Sequence, residues 1–208
     1  SGMCSSTVTG SAVGVVQPTR NSGTNKRVMT TLSTFNLSSA TNLPKFSPIC
    51  PYAGPVDRQL VFIPIASHEL DVLDGTTEVR QRRAYTVTPD LLGELGYTPD
   101  MVEDAEYAAL VLASIAGLAE FGERVVVVAE VDASLVEPGD DSPNGECLLT
   151  HCPPAAMTAW FADAPEVRVP KVPQKATIDE AWDLPQVQAL LQEHDLLWND
   201  VAEYRRRQ

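Results

Sequence analysis

The chain has 208 residues and a formal net charge of −13 at pH 7, with 44% hydrophobic and 21% charged residues. The charge is uneven: residues 1–57 hold four Lys or Arg and one Asp, a sum of +3, which leaves −16 for residues 58–208. Such an acidic domain is a poor candidate for nucleic-acid binding, because that affinity comes mainly from lysine and arginine at phosphates. The charge favours a protein partner or self-association.

The sequence points to a cytoplasmic protein. No apolar run approaches the roughly 20 residues that cross a bilayer, so we expect no membrane contact, and no signal-peptide pattern is present. The four cysteines, Cys4, Cys50, Cys147 and Cys152, are fewer than a secreted disulfide scaffold normally shows. We therefore expect free thiols in a reducing compartment.

Residues 1–57 are rich in Ser, Thr, Asn, Gly and Pro and contain few large apolar side chains. This composition predicts a flexible extension, within which residues 28–35 can form a strand if a sheet edge is offered. Residues 1–2 resemble the remnant of a cleaved tag. The rest of the chain, residues 58–208, is predicted to form a single globular domain.

The clearest structural signal lies at residues 98–131, which are predicted to form a long helix followed directly by a strand. Thr98 is a suitable N-cap and Pro99 suits the first helical position. Alanines recur at three- and four-residue spacing, so we expect the helix to pack closely on a sheet until it ends near Gly122. Residues 125–129 have no polar alternation, which is typical of a strand buried on both faces. We expect this strand at the centre of the sheet.

The remaining elements are shorter. Apolar runs and turn signals predict strands at 59–65, 83–88, 146–151 and 167–169, helices at 67–75, 89–95 and 153–161, a helix opening at Thr177, and a terminal helix from Pro185. The predicted order is β-α-β-α-α-β-β-α-β-α. It favours the α/β or α+β class, with a mixed sheet of about five strands and helices on both faces.

Several chemical signatures are missing. The sequence has no phosphate-binding loop, dinucleotide fingerprint, zinc-protease motif or serine-hydrolase elbow. Cys147, His151 and Cys152 are possible soft ligands, but no second Cys/His pair completes a tetrahedral site. Glu103 and Glu106 lack the Glu-x-x-His partner of a carboxylate metal site, so the acidic start of the long helix is interpreted as capping. We expect neither a metal nor another cofactor.

His194 is the candidate catalytic residue. A histidine held by a carboxylate is the usual general base, and Asp195 follows it directly. Adjacent residues on a helix point about 100° apart, however, so Asp195 is poorly placed to orient the ring. His194 therefore either fills the apolar stripe of the terminal helix or is presented for function beside Trp198. Trp198 is itself a candidate binding residue.

Three arginines, Arg80, Arg82 and Arg83, form a candidate binding cluster. They lie just before a predicted strand, in an otherwise acidic domain. Arginines in this setting either hold an anionic ligand or form salt bridges with the surrounding carboxylates. The sequence leaves both alternatives open.

Five segments carry a resemblance to a known family, and they lie at residues 60–64, 85–89, 106–109, 124–131 and 194–198. The most specific are Glu-Tyr-Ala-Ala in the third and His-Asp-Leu-Leu-Trp in the fifth. Over about residues 59–202 the chain resembles a small family of acidic actinobacterial proteins that share a domain of unknown function. The resemblance implies no activity and no catalytic residue, and it leaves out the N-terminal extension.

Together these patterns favour a non-enzymatic interaction or regulatory domain whose acidic surface binds a basic protein partner or a second copy of itself. The alternative is a small acid/base hydrolase, in which His194 acts with a carboxylate while one of the three arginines holds an anionic substrate. An accessible His194 beside a carboxylate and an arginine favours the enzyme, whereas a fully packed His194 argues against it.

Overall fold

The computed structural model of the protein describes residues 57–98 and 100–206. The predicted N-terminal extension lies outside the described residues except for Asp57, and so does the predicted helical position of Pro99. The strands are β1 Arg58–Pro64, β2 Val79–Tyr85, β3 Val125–Asp132, β4 Val136–Pro138, β5 Glu146–Cys152, β6 Met157–Ala162 and β7 Leu197–Asp200. The α-helices are α1 Pro89–Leu95, α2 Val102–Phe121, α3 Ile178–Trp182, α4 Pro185–Glu193 and α5 Val201–Arg206. Short 3₁₀ helices are formed by Ser67–Asp74, Ala133–Leu135, Ser142–Asn144 and Pro154–Ala156.

The strands form one sheet in the order β4-β5-β2-β1-β3-β6-β7, and each neighbouring pair among the described strands is antiparallel. The long connection through α1 and α2 joins β2 to β3. Because β1 lies between these two strands, they do not form a hydrogen-bonded parallel pair. The fold therefore belongs to the α+β class, one of the two expected. The predicted mixed sheet of about five strands and the predicted element order are wrong.

β3 is buried on both faces, as predicted for residues 125–129. Val126 and Val128 join a core beneath α2 and α3, while the alternate residues Val125 and Val127 join the core on the opposite face. The 3₁₀ helix Ser67–Asp74 and α5 cover that second face, with contributions from Leu73 and Val201. The alanine stripe of α2 is buried as predicted and lets the helix lie close to the sheet.

The start of the long helix differs from the prediction. α2 begins at Val102 with Met101 at the N-cap position, and the Thr98 carbonyl accepts the Met101 amide at 2.9 Å to close a turn before the helix. The Thr98 side chain bonds to Asp100, and this bond holds the pKa of the Asp100 carboxyl below its usual value. Thr98 is thus committed to a local turn. Thr88 does cap its helix, accepting the Leu91 amide at 3.0 Å.

Two predictions for residues 153–169 are wrong. Residues 153–161 do not form a helix, because a 3₁₀ turn leads into β6, whose backbone pairs with the open edge of β3. Residues 167–169 form no strand, and Val167 and Val169 instead pack against α4. Apolar runs this short are compatible with either element, and the neighbouring strand decides between them.

The predicted terminal helix is divided into α4, β7 and α5. The backbone leaves the helical conformation at His194, which has φ −138° and ψ 108°. Val187, Leu190 and Val201 of the predicted stripe are buried, but Trp198 lies exposed on β7. The residues of the predicted stripe therefore lie on three elements, and only some of their side chains face the core.

Candidate functional site

β2 carries all three arginines of the predicted binding cluster. Arg80 pairs with Glu78 at the start of the strand, and Arg83 pairs with Glu120 near the end of α2. Both pairs are substantially exposed, so each contributes little to stability. In this arrangement the positive charges of Arg80 and Arg83 are already balanced by carboxylates.

Arg82 is the most enclosed of the three. Its guanidinium donates to both carboxylate oxygens of Glu69, at 2.7 and 3.1 Å, and to the carbonyl of Pro64 at 3.4 Å. β1 and β2 pair at Phe62 and Tyr85. The bond from Arg82 to the Pro64 carbonyl connects the same two strands at the end of β1. Burial raises the pKa of Glu69, but the Arg82 hydrogen bond and the Ala66 amide outweigh it and hold that pKa below its usual value.

An open cleft of about 450 Å³ lies beside Arg80 and Arg82. Its charged and titratable lining consists of His68, Glu69, Asp71, Glu78, Arg80 and Arg82. Three carboxylates face two arginines, so an anion that enters must displace an existing ion pair. Gln81, between the two arginines, has a left-handed backbone with φ 47°, a conformation uncommon for residues other than glycine.

His194 lies at the C-terminal end of α4 and is exposed. Its amide donates to the Leu190 carbonyl at 3.0 Å, and its own carbonyl accepts from Arg124 at 3.1 Å. Within residues 57–98 and 100–206, no carboxylate forms an ion pair with its ring. The structure does not bring His194 into contact with Arg80, Arg82 or Arg83, whose partners are given above.

Arg124, whose side chain bonds to the His194 carbonyl, was not among the candidate residues predicted from the sequence. Its side chain is only 2% exposed and forms a two-pronged ion pair with Asp163, including a bond from Nε to Oδ2 at 3.1 Å. With the bond to the His194 carbonyl, one buried guanidinium joins the start of β3, the end of β6 and the end of α4. The available signal was a charged residue directly before an otherwise apolar strand.

β7 forms one edge of the sheet and exposes large apolar side chains. Leu197 is 51% exposed and Trp198 is 59% exposed. Trp198 lies opposite Phe161 of β6, a partly buried residue that packs against the core beneath α2. Trp198 is therefore on the same face of the sheet as α2. The outer side of β7 has no strand partner among the described residues.

Tyr107 of α2 lies within electrostatic reach of the segment that leads into β7. Burial raises its pKa, the negative charge of Asp195 raises it further, and the positive charge of Arg124 opposes the change. Tyr107 as a whole residue is nevertheless 40% exposed. We call Tyr107, Asp195, Leu197, Trp198 and the free side of β7 the β7 surface. It combines segments from two of the most specific parts of the predicted family resemblance.

The cysteines of the described region are free and buried. Burial raises the pKa of the Cys147 thiol to about 12 and that of Cys152 to about 11, so neither is a ready nucleophile. No cluster of three or more His, Cys, Asp or Glu within the described ranges is placed to hold a metal ion. Cys4 and Cys50 lie outside those ranges.

Within residues 57–98 and 100–206, the fold is an α+β domain with a seven-stranded antiparallel sheet, and the β7 surface is an edge of that sheet with exposed apolar side chains. The chain belongs to a family of unknown function, DUF6912, whose profile matches residues 60–206. This match confirms the expected resemblance to a domain of unknown function over most of residues 59–202. No curated protein and no solved structure shows significant similarity to the chain. Among the described residues, no helix is long and apolar enough to cross a membrane.

Proposed function

We propose that the protein is a non-enzymatic cytoplasmic interaction domain that binds a basic, extended protein segment along β7. The observation that carries the proposal is the exposure of Leu197 and Trp198 on a sheet edge that has no strand partner in the part of the chain that the structure describes. An exposed apolar edge strand is a template for pairing with another chain, and most monomers protect such edges. A partner strand is the ligand that uses both the exposed side chains and the free backbone groups.

The two sheet edges differ in how well they are protected. β7 reads Leu-Trp-Asn-Asp and contains neither lysine nor proline, residues that commonly block edge pairing. β4, at the opposite edge, ends at Pro138, which has no amide hydrogen to donate. β7 is therefore the edge at which strand addition is favoured.

The charge of the domain supports a basic partner. Residues 58–208 carry −16, and Asp195 and Asp200 flank the exposed pair on β7. The Asp200 carboxylate already accepts the Ala202 amide at 2.7 Å, which leaves Asp195 as the carboxylate more available to a partner. A lysine or arginine that approaches Asp195 can also stack on the Trp198 ring, since aromatic faces attract cations.

The hydrolase alternative has less support. General acid/base catalysis needs a histidine oriented by a second group and an oxyanion or anion site within reach. The ring of His194 has no carboxylate ion-pair partner among the described residues, and the β2 arginines are paired with Glu78, Glu69 and Glu120. The interaction domain therefore remains the function that the geometry favours.

Peptide binding tests the proposal. The probe is a short synthetic peptide that alternates lysine with isoleucine or valine, titrated into the full chain and followed by calorimetry. We expect binding that weakens with added salt, and we expect Trp198→Ala to weaken it by at least about tenfold, as for an aromatic anchor. The same peptide with a central proline should bind poorly, because it cannot form a strand.

A pair of charge variants provides the control. Asp195→Asn removes one negative charge at the β7 surface, and Glu137→Gln removes one on β4 at the opposite edge. Only the first should weaken binding appreciably. Equal losses for the two variants, or unchanged affinity in Trp198→Ala, would show that the peptide binds the acidic surface without using β7.

A further inference from the structure

The direction of each backbone group in β7 follows from a hydrogen bond on the other side of β3. Ile65, directly after β1, donates its amide to the Val125 carbonyl at 3.0 Å, so Val125 directs its backbone groups towards β1. Successive residues of a strand direct these groups to opposite sides. Val126 therefore directs its amide and carbonyl towards β6, where it lies opposite Phe161.

The same alternation continues through β6 to the edge of the sheet. Since Phe161 bonds to β3, its two neighbours Trp160 and Ala162 direct their backbone groups towards β7. They lie opposite Asn199 and Leu197, respectively. The amides and carbonyls of these two β7 residues are therefore used within the sheet, and the residue between them, 198, directs both of its backbone groups to the outer side.

The face of β7 on the side of α2 is aromatic and acidic. Asp200 shares the face of Trp198, because it lies opposite Ala159 of the core beneath α2. In addition to burial, the negative charge of Asp195 raises the pKa of Tyr107 in α2, so Asp195 lies close to the same helix. An aromatic ring between two carboxylates is a favourable environment for the side chain of a lysine or arginine.

The opposite face of β7 presents uncharged side chains. Leu197 and Asn199 lie opposite Ala162 and Trp160, which pack against the core that α5 covers. Leu197 is exposed. An apolar side chain that packs beside Leu197 removes the apolar surface of both residues from water. The two faces of β7 therefore favour different side chains in a partner.

We propose that the partner segment adds to β7 as an antiparallel strand with a basic residue directly opposite Trp198, a pairing that rests on the proposed function. Antiparallel addition continues the arrangement of all neighbouring pairs among the described strands. The basic residue exchanges two main-chain hydrogen bonds with Trp198, because both backbone groups of Trp198 point outwards. Its side chain lies on the same face as the Trp198 ring.

The neighbours of this basic residue in the partner have the opposite arrangement. They lie opposite Leu197 and Asn199, so their side chains are on the face of α5 and their amides point away from β7. The preferred ligand is therefore a segment in which basic and apolar residues alternate and only the basic residues donate their amides to β7.

A pair of N-methylated peptides tests this pairing. Both are short peptides of alternating lysine and valine, and one is methylated at each lysine amide while the other is methylated at each valine amide. The methyl group replaces the amide hydrogen, so each peptide keeps only one edge that can donate to a strand. The two peptides have the same composition and charge, and each is the matched control for the other.

We expect the valine-methylated peptide to bind the full chain within about threefold of the unmethylated peptide, and the lysine-methylated peptide to bind at least about tenfold more weakly. The reverse order of affinities would overturn the pairing and leave strand addition at β7 intact. Equal loss for the two peptides would also overturn it. If both bind as well as the unmethylated peptide, main-chain pairing is not used, and the proposed function fails together with the pairing.

Amide hydrogen exchange of the full chain without peptide provides an independent readout. After correction for intrinsic rates, the amides of Leu197 and Asn199 should exchange at least about tenfold more slowly than that of Trp198, because they bond to β6. Slower exchange at Trp198 than at its two neighbours would assign the free backbone groups to the wrong residues. That result would overturn the proposal whether or not a peptide binds.

Discussion

Arg124 and Asp163 form a buried ion pair that also holds the carbonyl of His194. The pair lies at the junction of three elements that are far apart in sequence. Because the next residues after His194 lead into β7, the guanidinium sets where that exposed strand begins. Arg124 thus connects the core of the domain to the β7 surface without being exposed itself.

Removing the Arg124 side-chain charge should strongly destabilise the fold. Arg124→Met leaves Asp163 partly buried without a partner, and breaking a buried pair in this way costs about 3–5 kcal/mol. The free energy of unfolding, measured with urea, gives the value directly.

The matched control is Arg83→Met, which removes the exposed pair with Glu120. Exposed pairs contribute about 1 kcal/mol or less, so this variant should remain close to wild type. Similar losses for the two arginine variants would contradict the structural role assigned to Arg124.

Gly145→Ala should destabilise the protein more than Gly96→Ala. Both glycines have left-handed backbones, with φ 75° and φ 70°. A Cβ at Gly145 would lie 2.6 Å from the Thr86 carbonyl oxygen, whereas nothing lies within 4 Å of a Cβ at Gly96. We expect a loss of about 1–2 kcal/mol at Gly96 from backbone strain alone and a clearly larger loss at Gly145. Equal losses by thermal or urea denaturation would argue against the close approach at Thr86.

Glu69 should contribute to stability in a pH-dependent way. Its folded pKa lies below the usual value, so its contribution is fully present near neutral pH and is lost as the pH falls below about 4. Glu69→Gln should therefore be less stable than wild type at neutral pH, and the two should converge in acid. In an Arg82→Gln background the pH dependence of this difference should shrink. A difference that is constant across the range would contradict the assignment.

The buried thiols should resist alkylation in the folded protein. Burial raises the pKa of Cys147 and Cys152 well above that of a free thiol, and the thiolate is the reactive form. Iodoacetamide near neutral pH should modify both cysteines slowly in the native state and rapidly in urea. Mass spectrometry of the peptides that contain each cysteine measures the two rates separately, and rapid native modification of either would contradict its burial.

Local sequence patterns correctly predicted β3 and α2, whose type of secondary structure follows from the residues within each segment. The uninterrupted apolar run at 125–129 indicated a strand covered on both faces, and β3 is that strand. The alanine spacing indicated a close-packed helix, and α2 is that helix. In both segments the hydrophobic period is long or regular enough to identify the element.

The remaining features depend on contacts between distant residues. β6 is a strand because β3 offers it an open edge, a condition that the sequence of residues 157–162 does not reveal. The partner of Arg124 lies 39 residues away, and no local pattern identifies it. The spacing of Trp198 in the sequence also fits the apolar stripe of a helix. Because the helix ends at His194, Trp198 lies on β7 instead.

Amide hydrogen exchange along β7 tests the proposed function most directly. The full chain is compared with and without the alternating lysine peptide, and the exchange of residues 197–200 is followed by NMR. If the peptide adds a strand, amides on the outer side of β7 should become protected by at least about tenfold, while those of β4 at the opposite edge stay unchanged. Binding that leaves β7 exchange unaltered would contradict the account.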